Sequence, residues 1–215
     1  MRLVLLAVIS LVLNACVSPQ IPITEQSKLK ADALTAHNST LKSWFIVSQV
    51  ALLVDESSYF FTSRWMQDDE RYHLRFEVGL AQGAIELKGQ PQRAVLTLAN
   101  QKQYKSSDPE QLIEKVAGYK IPVIGLKSWV RGIAHLNSQA EVSIQANGDT
   151  KKIIQDGWDI EYKKWETVSI RDERFRLPSD IRLNHGKVNI RFRPSQWQKD
   201  EEQKSNPVFS DLNSI

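Results

Sequence analysis

The sequence predicts a mainly β domain with some α content: an open antiparallel half-barrel of about ten to eleven strands, covered by a short helical lid. Three observations predict it. From Ser43 onward most of the chain falls into runs rich in β-branched and aromatic residues, separated by short polar or glycine-containing turns. Between Ser107 and Ile133 the apolar period changes once, from that of a strand to that of a helix. No period of self-similarity runs through the chain, which argues against a repeat architecture. An antiparallel sheet that curls without closing leaves a concave apolar face to be covered, and two amphipathic helices inserted between its strands can cover it.

The N-terminus comes first in the chain and has its own logic. "MRLVLLAVISLVLNAC" sets Arg2 ahead of an apolar run that reaches Leu13 and then small residues, the layout of a secretory signal sequence. The run is shorter than the roughly 20 apolar residues that a spanning helix needs. It ends in Leu13, Asn14, Ala15 and Cys16, which resembles the bacterial lipoprotein box. Cys16 is the sole cysteine, so no internal disulfide can form and its thiol is free for lipid attachment. The box implies a diacylglycerol on the Cys16 thiol, cleavage before Cys16 and acylation of the new amino group; this covalent N-acyl and S-diacylglycerol lipid is the expected modification, and no other cofactor is expected. Each buried methylene contributes ~0.8 kcal/mol, so three chains make release into water negligible. Val17 stands where an aspartate would signal retention, which implies sorting to the outer membrane. On this reading residues 1–15 are a lipoprotein signal peptide, 16–27 the lipidated N-terminus and tether, 28–197 one lidded half-barrel domain, and 198–215 a charged, disordered tail.

The domain opens on "KLKADALTAHNSTLKSW", where Leu29, Ala33 and Ala36 stand at helical spacing and Asn38-Ser39 can end the helix. Strands then dominate: "SWFIVSQVALLV", "SSYFFTSRWM", "RYHLRFEV", "GAIELKG" and "AVLTLA" read as an antiparallel meander. The first is apolar on both faces and so belongs in a buried place. In the third, Tyr72, Leu74, Phe76 and Val78 share one face and His73, Arg75 and Glu77 the other. The hairpin "FEVGLAQGAIEL" puts Leu80 at a tip where a polar residue would normally meet water. A scattered exposed leucine needs no explanation by itself. Further on, Ser107 and Glu110 have capping-box spacing, Leu112, Ile113, Val116 and Ala117 form a helical stripe, and Gly118 is placed to stop it. A second short helix carries Leu126, Trp129, Val130 and Ile133 on one face. Strands resume near Ala140 and run through "WDIEYKKW", "TVSIRD" and "DIRLNHGKVNIRFRP", with a hairpin marked by Asn184-His185-Gly186.

Composition bounds the function classes. With 215 residues, 41% hydrophobic and 25% charged, the chain can bury the core of one globular domain. A formal net charge of +3 is too small to imply a nucleic-acid partner without a clustered basic face. His37, His73, His135 and His185 are scattered without metal-ligand spacing, so no metal is expected. No nucleophile elbow, phosphate-binding glycine loop or ordered triad is visible, which disfavours an enzyme. Arg171, Arg174, Arg176, Arg182, Arg191 and Arg193 make the C-terminal part basic; solvated strand edges are the plain reading, and docking of an acidic protein the functional one.

From about Leu41 to Trp197 the chain resembles the LolB family, the outer-membrane lipoprotein receptors of bacterial lipoprotein sorting. The resemblance is carried most specifically by "AGYKIPVIGLKSWVRG", with Gly118, Ile121, Pro122, Leu126, Trp129 and Gly132 in order, and further by Trp65, "GWDIEY" and "LPSDIRLNHGKVNIRFRPSQW". It implies an open β-barrel with an apolar cavity beneath its helical lid. It also implies a monomer facing the periplasm, which accepts acylated lipoproteins from a soluble periplasmic carrier of the LolA type and inserts them into outer-membrane lipid. The family turn has a protruding leucine, usually after Asn-Pro; here Gly79, Leu80 and Ala81 keep the leucine without that pair, and they are the expected membrane-insertion loop. Trp65, Leu112, Ile113, Val116, Leu126, Trp129 and Val130 are the candidates for lining the acyl cavity, against the plain reading that such residues simply pack. The alternative function is a lipoprotein scaffold for an outer-membrane assembly complex.

Overall fold

The computed structural model describes residues 22–77, 83–170 and 172–198. Cys16 and the signal peptide, the hairpin tip with Gly79, Leu80 and Ala81, and the tail from residue 199 on lie outside the described residues. In chain order the described elements are α1 (Glu25–Thr40), β1 (Ser43–Val54), β2 (Ser57–Asp68), β3 (Arg71–Glu77), β4 (Ala84–Gln90), β5 (Arg93–Thr97) and β6 (Gln103–Ser106). Then come α2 (Pro109–Ala117), α3 (Val123–Trp129), β7 (Ala140–Ile144), β8 (Thr150–Gln155), β9 (Trp158–Ile170), β10 (Glu173–His185) and β11 (Val188–Gln198). The eleven strands form one antiparallel sheet in the order β6-β5-β4-β3-β2-β1-β11-β10-β9-β8-β7. It does not close, because β6 and β7 are its two edges. The chain that joins those edges is the segment carrying α2 and α3.

The first and last strands pair at the sheet's centre, from Phe45 opposite Gln198 to Val54 opposite Val188. This explains why β1 is apolar on both faces. Trp44, Ile46, Val50 and Leu52 enter the main core, while Phe45 packs with Met66 and Val47 in a smaller cluster on the other face. The pairing breaks register between Val47 and Ser48, where Ser195 is left unpaired and its hydroxyl donates to the Val47 carbonyl (3.1 Å). Pro178 lies inside β10 at a second irregularity, the setting in which a strand tolerates a residue without an N–H.

Helix α1 begins at Glu25, so residues 25–27, read from the sequence as the end of the tether, are its first turn. Its N-cap is Thr24, which forms a reciprocal capping box with Ser27; a serine rather than a glutamate fills the third position. The docked face also differs from the expected stripe. Leu29, Ala33 and Ala36 are exposed, and Ser27, Ala31 and Asn38 are buried. The reason is polar docking: Ser27 Oγ donates to the Ala146 carbonyl (2.7 Å), and Asn38 Nδ2 donates to the carbonyls of Arg131 (2.8 Å) and Arg176 (2.9 Å).

Arg131 completes that junction. Only 5% exposed, it donates through Nη1 to the carbonyls of Leu41 (3.0 Å) and Asn38 (3.4 Å) and through Nε to that of Lys127 (3.0 Å). Those carbonyls belong to the C-terminal ends of α1 and α3, where unpaired backbone oxygens and the helix dipole favour a cation. Burial lowers its pKa to about 10, still far above neutrality, so the guanidinium stays charged. Arg131→Met keeps the apolar stem and removes every donor. At ~1–3 kcal/mol for each buried acceptor left unpaired, it should lower unfolding stability by ~2–4 kcal/mol in urea titration, and Arg131→Lys should recover only part of the loss because one ammonium cannot reach three carbonyls.

Candidate functional site

Strand alternation builds an apolar wall on the concave face. Phe61, Ser63 and Trp65 of β2, Leu74 and Phe76 of β3, Ile85 and Leu87 of β4, Leu96 of β5, Val50 and Leu52 of β1, and Ile190 and Phe192 of β11 point the same way. The lid closes over them with Ile113 and Val116 of α2, Tyr119 and Ile121 of the connection, and Val123 and Leu126 of α3. Between wall and lid lies a cavity of about 350 Å³, toward the low end of the roughly 300–1,000 Å³ of small-molecule pockets. Among the described residues its lining holds no charged residue.

The cavity occupies only one half of the sheet because α3 fills the other half. Trp129 is fully buried against Trp158, with ring centroids 6.5 Å apart, and its indole Nε1 donates to Gln155 Oε1 (2.9 Å). Tyr162, itself buried, donates its hydroxyl to the Trp129 carbonyl (2.9 Å), and burial pushes its pKa well up. Gln155 also accepts from the His135 amide (3.1 Å) and donates to the carbonyls of His135 (2.7 Å) and Ser138 (3.1 Å), so all its polar capacity is used inside the fold.

The structure therefore divides the expected lining residues. Trp65, Ile113, Val116 and Leu126 come together on the cavity surface. Leu112, Trp129 and Val130 do not: they are buried in the packed core, Leu112 on the side where α2 meets the β5–β6 edge. The helical face expected over Leu126, Trp129, Val130 and Ile133 is cut short, since α3 ends at Trp129 and Val130 is its C-cap. Apart from Trp65 the strand wall is not among the expected lining residues, although the alternation that puts Leu74 and Phe76 on one face is the signal for it.

Polar contacts at the lid's ends hold it in place. Asp108, not Ser107, is the N-cap of α2, accepting from the amides of Glu110 (2.8 Å) and Gln111 (3.1 Å), with Pro109 in the first turn. Glu110 does not reach back to its cap; its Oε1 accepts from the Ile124 amide at the start of α3 (3.1 Å). Burial raises the pKa of this carboxyl. Gly118 ends α2 in the left-handed region at φ 85°. Lys127 pairs with Glu70 of the β2–β3 turn (2.7 Å), tying α3 to the sheet.

A gradient of burial along the strands locates the mouth. Trp65, Leu74, Leu87, Leu96 and Leu126 are buried, whereas Phe61, Phe76, Ile85, Leu98, Tyr119 and Ile121 are partly exposed. The partly exposed wall residues lie toward the ends of the strands joined by the β1–β2, β3–β4 and β5–β6 turns. Glu77 and Ala84, the paired residues that flank the expected Gly79-Leu80-Ala81 loop in sequence, lie at this rim. Leu53, Tyr59 and Phe60 of the β1–β2 hairpin are exposed near the same end. Much of the C-terminal basic cluster is paired: Arg191 binds Asp180 through both Nε (3.0 Å) and Nη2, and Arg176 binds Asp149 (2.8 Å).

The family model described as outer membrane lipoprotein LolB matches residues 42–197. The chain is 30% identical over 172 residues to the outer-membrane lipoprotein LolB of Pseudomonas fluorescens, with 80% of each chain covered. Two solved structures share its fold. One is a putative outer membrane lipoprotein-sorting protein domain from Vibrio parahaemolyticus, with TM-score 0.51 and 10% identity over 88% of this chain and 97% of that one. The other is a LolA superfamily protein from Nitrosomonas europaea, with TM-score 0.50 and 7% identity over 82% and 93%.

Wall and wedge differ in what they should do when truncated. Trp129→Ala should lower stability by ~3–5 kcal/mol while the protein that remains folded keeps its affinity for a solvatochromic acyl ester. Ile113→Asp, on the partly exposed lid, should fold and lose most of that affinity. Calorimetry together with probe titration of both variants checks the pair of outcomes.

Proposed function

The chain belongs to the outer membrane lipoprotein LolB family, and from that membership we propose that it is the receptor that takes acylated lipoproteins from a soluble periplasmic carrier and passes them into the outer membrane. The observation that carries the reading is the uncharged cavity that opens at one end of the half-barrel. Acyl chains cannot cross water freely, since each exposed methylene costs ~0.8 kcal/mol. They must move between shielded pockets, and a wall of aliphatic and aromatic side chains offers one.

No nucleotide or cofactor enters this mechanism, and it contains no catalytic step. Transfer runs downhill if the cavity binds the chains more tightly than the carrier does and less tightly than the bilayer. Lipid on Cys16 keeps the domain at the membrane throughout. Leu80, in the segment that joins β3 to β4, dips into the lipid surface and directs the mouth toward it. Burying one leucine contributes only ~1.5–3 kcal/mol, too little to anchor the protein but enough to orient one already tethered. Arg182 and Arg193, exposed on the outward faces of β10 and β11, supply positive charge for meeting the carrier.

Transfer of a fluorescent lipoprotein from carrier to receptor and then to liposomes tests the reading in two steps. Leu80→Glu should accept cargo normally and deliver it at least tenfold more slowly, because a carboxylate resists leaving water. Normal delivery by the folded variant would remove Leu80 from the membrane step, and no acceptance by the unaltered protein would defeat the receptor assignment. Labelled palmitate should enter the unaltered protein and not Cys16→Ala.

A further inference from the structure

One hydroxyl interrupts the strand wall of the cavity. Ser63 is 1% exposed, lines the cavity, and its Oγ has no hydrogen-bond partner among the described residues. Ser48 lies directly opposite it in the β1–β2 register, is fully buried, and its Oγ is likewise unpartnered. Facing residues in antiparallel strands have Cβ atoms about 4.5–5.5 Å apart, so the two serines stand side by side on the same face of the sheet. A buried hydroxyl without a partner is a net loss to the folded state, and an alanine in its place would avoid that loss. The pair therefore calls for a ligand group rather than for a packing role.

Its depth says which group. Along β2, Ser57 to Phe60 are exposed, Phe61 and Thr62 are partly exposed, and Ser63 is the first buried position. Trp65, two residues further from the mouth, is part of the wholly apolar interior. An acyl chain lying tail-inward therefore brings its linkage, not its methyl end, to the level of Ser63. Among the described residues the lining carries no lysine, arginine or histidine, so a fatty carboxylate would lose its hydration there without gaining a counter-ion. A neutral carbonyl needs only a donor.

Building on the acyl-cavity reading above, we propose that Ser63, supported by Ser48, donates to the carbonyl of an ester- or amide-linked acyl chain and so selects linked chains over free fatty acids. Lipoprotein cargo carries its chains in these two linkages, whereas free fatty acids are the commonest competing source of the same hydrocarbon.

The test uses the full chain purified in a steroidal detergent, which offers no acyl chain of its own. Methyl palmitate, palmitate and hexadecane are compared by displacement of a solvatochromic acyl ester. The unaltered protein should prefer methyl palmitate to palmitate at neutral pH. Ser63→Ala should weaken methyl palmitate by roughly three- to tenfold, the loss of one neutral hydrogen bond, and leave hexadecane unchanged, while Ser63→Thr restores the ester. The Ser63→Ala melting temperature should be equal to or above that of the parent. An equal loss for ester and hydrocarbon, or a fall in melting temperature, would make Ser63 an ordinary wall residue and overturn the proposal. Failure of the unaltered protein to bind any of the three would instead defeat the acyl-cavity reading itself, and this inference with it.

Discussion

A sheet that curls without closing must be finished by something other than a strand, and that constraint organises this protein. Eleven strands leave β6 and β7 unjoined, so their apolar concave face would meet water unless covered. At roughly 25 cal/mol per Å² of apolar surface, leaving such a face bare would outweigh the net stability of a domain of this size. The cover is the chain that has to travel from one edge to the other in any case. Its two helices cover unequally: α3 drives a tryptophan into the β8–β10 half and fills it, whereas α2 presents only isoleucine- and valine-sized groups and leaves space above β1 to β5. The cavity is the volume difference between an aromatic wedge and an aliphatic one.

The two helices are also held by different chemistry. α3 is fixed through hydrogen-bonded polar groups, with Gln155 gripping Trp129 and Arg131 gripping the last carbonyls, and such networks are rigid because each member would be costly to strand. Over the cavity, α2 rests mainly on apolar contacts and on the bond from the Ile124 amide to Glu110. Apolar contact is non-directional and tolerates sliding. On the proposed receptor reading, a host for flexible hydrocarbon gains from such a division, with one helix as a fixed reference and the other on a surface that accepts several positions.

Much of this could be read from residue order. β1 coincides with the expected run at both ends, its two apolar faces matched its central position, and the open sheet with helices inserted follows from one change of period. Pattern fails where polar groups decide. The docked face of α1 is Ser27, Ala31 and Asn38, which no hydrophobic stripe could disclose, since its anchor is an amide bonded to two carbonyls from distant segments. Trp65 and Trp129 look alike in sequence, yet one lines the space and the other fills it, because the difference depends on which half of the sheet each reaches. Ser63 gave no signal at all: a serine inside an apolar strand stands out only when its neighbours leave it without a partner. Cys16 and Leu80, the clearest features of the linear chain, lie outside the described residues.

The central pairing of β1 with β11 has a temporal meaning. Nearly the whole domain lies between these strands, so a chain emerging N-terminus first from a ribosome or a narrow channel cannot complete the middle of its sheet until the final strand is out. Until then β1 can pair with β2 on one side but leaves its other edge open. Contacts so far apart in sequence also form slowly once both partners are present. Such a chain remains pliable for as long as it is being threaded and becomes compact only on release. A copy that loses its last segment stays recognisably unfinished to proteases, with an apolar strand edge exposed at its centre.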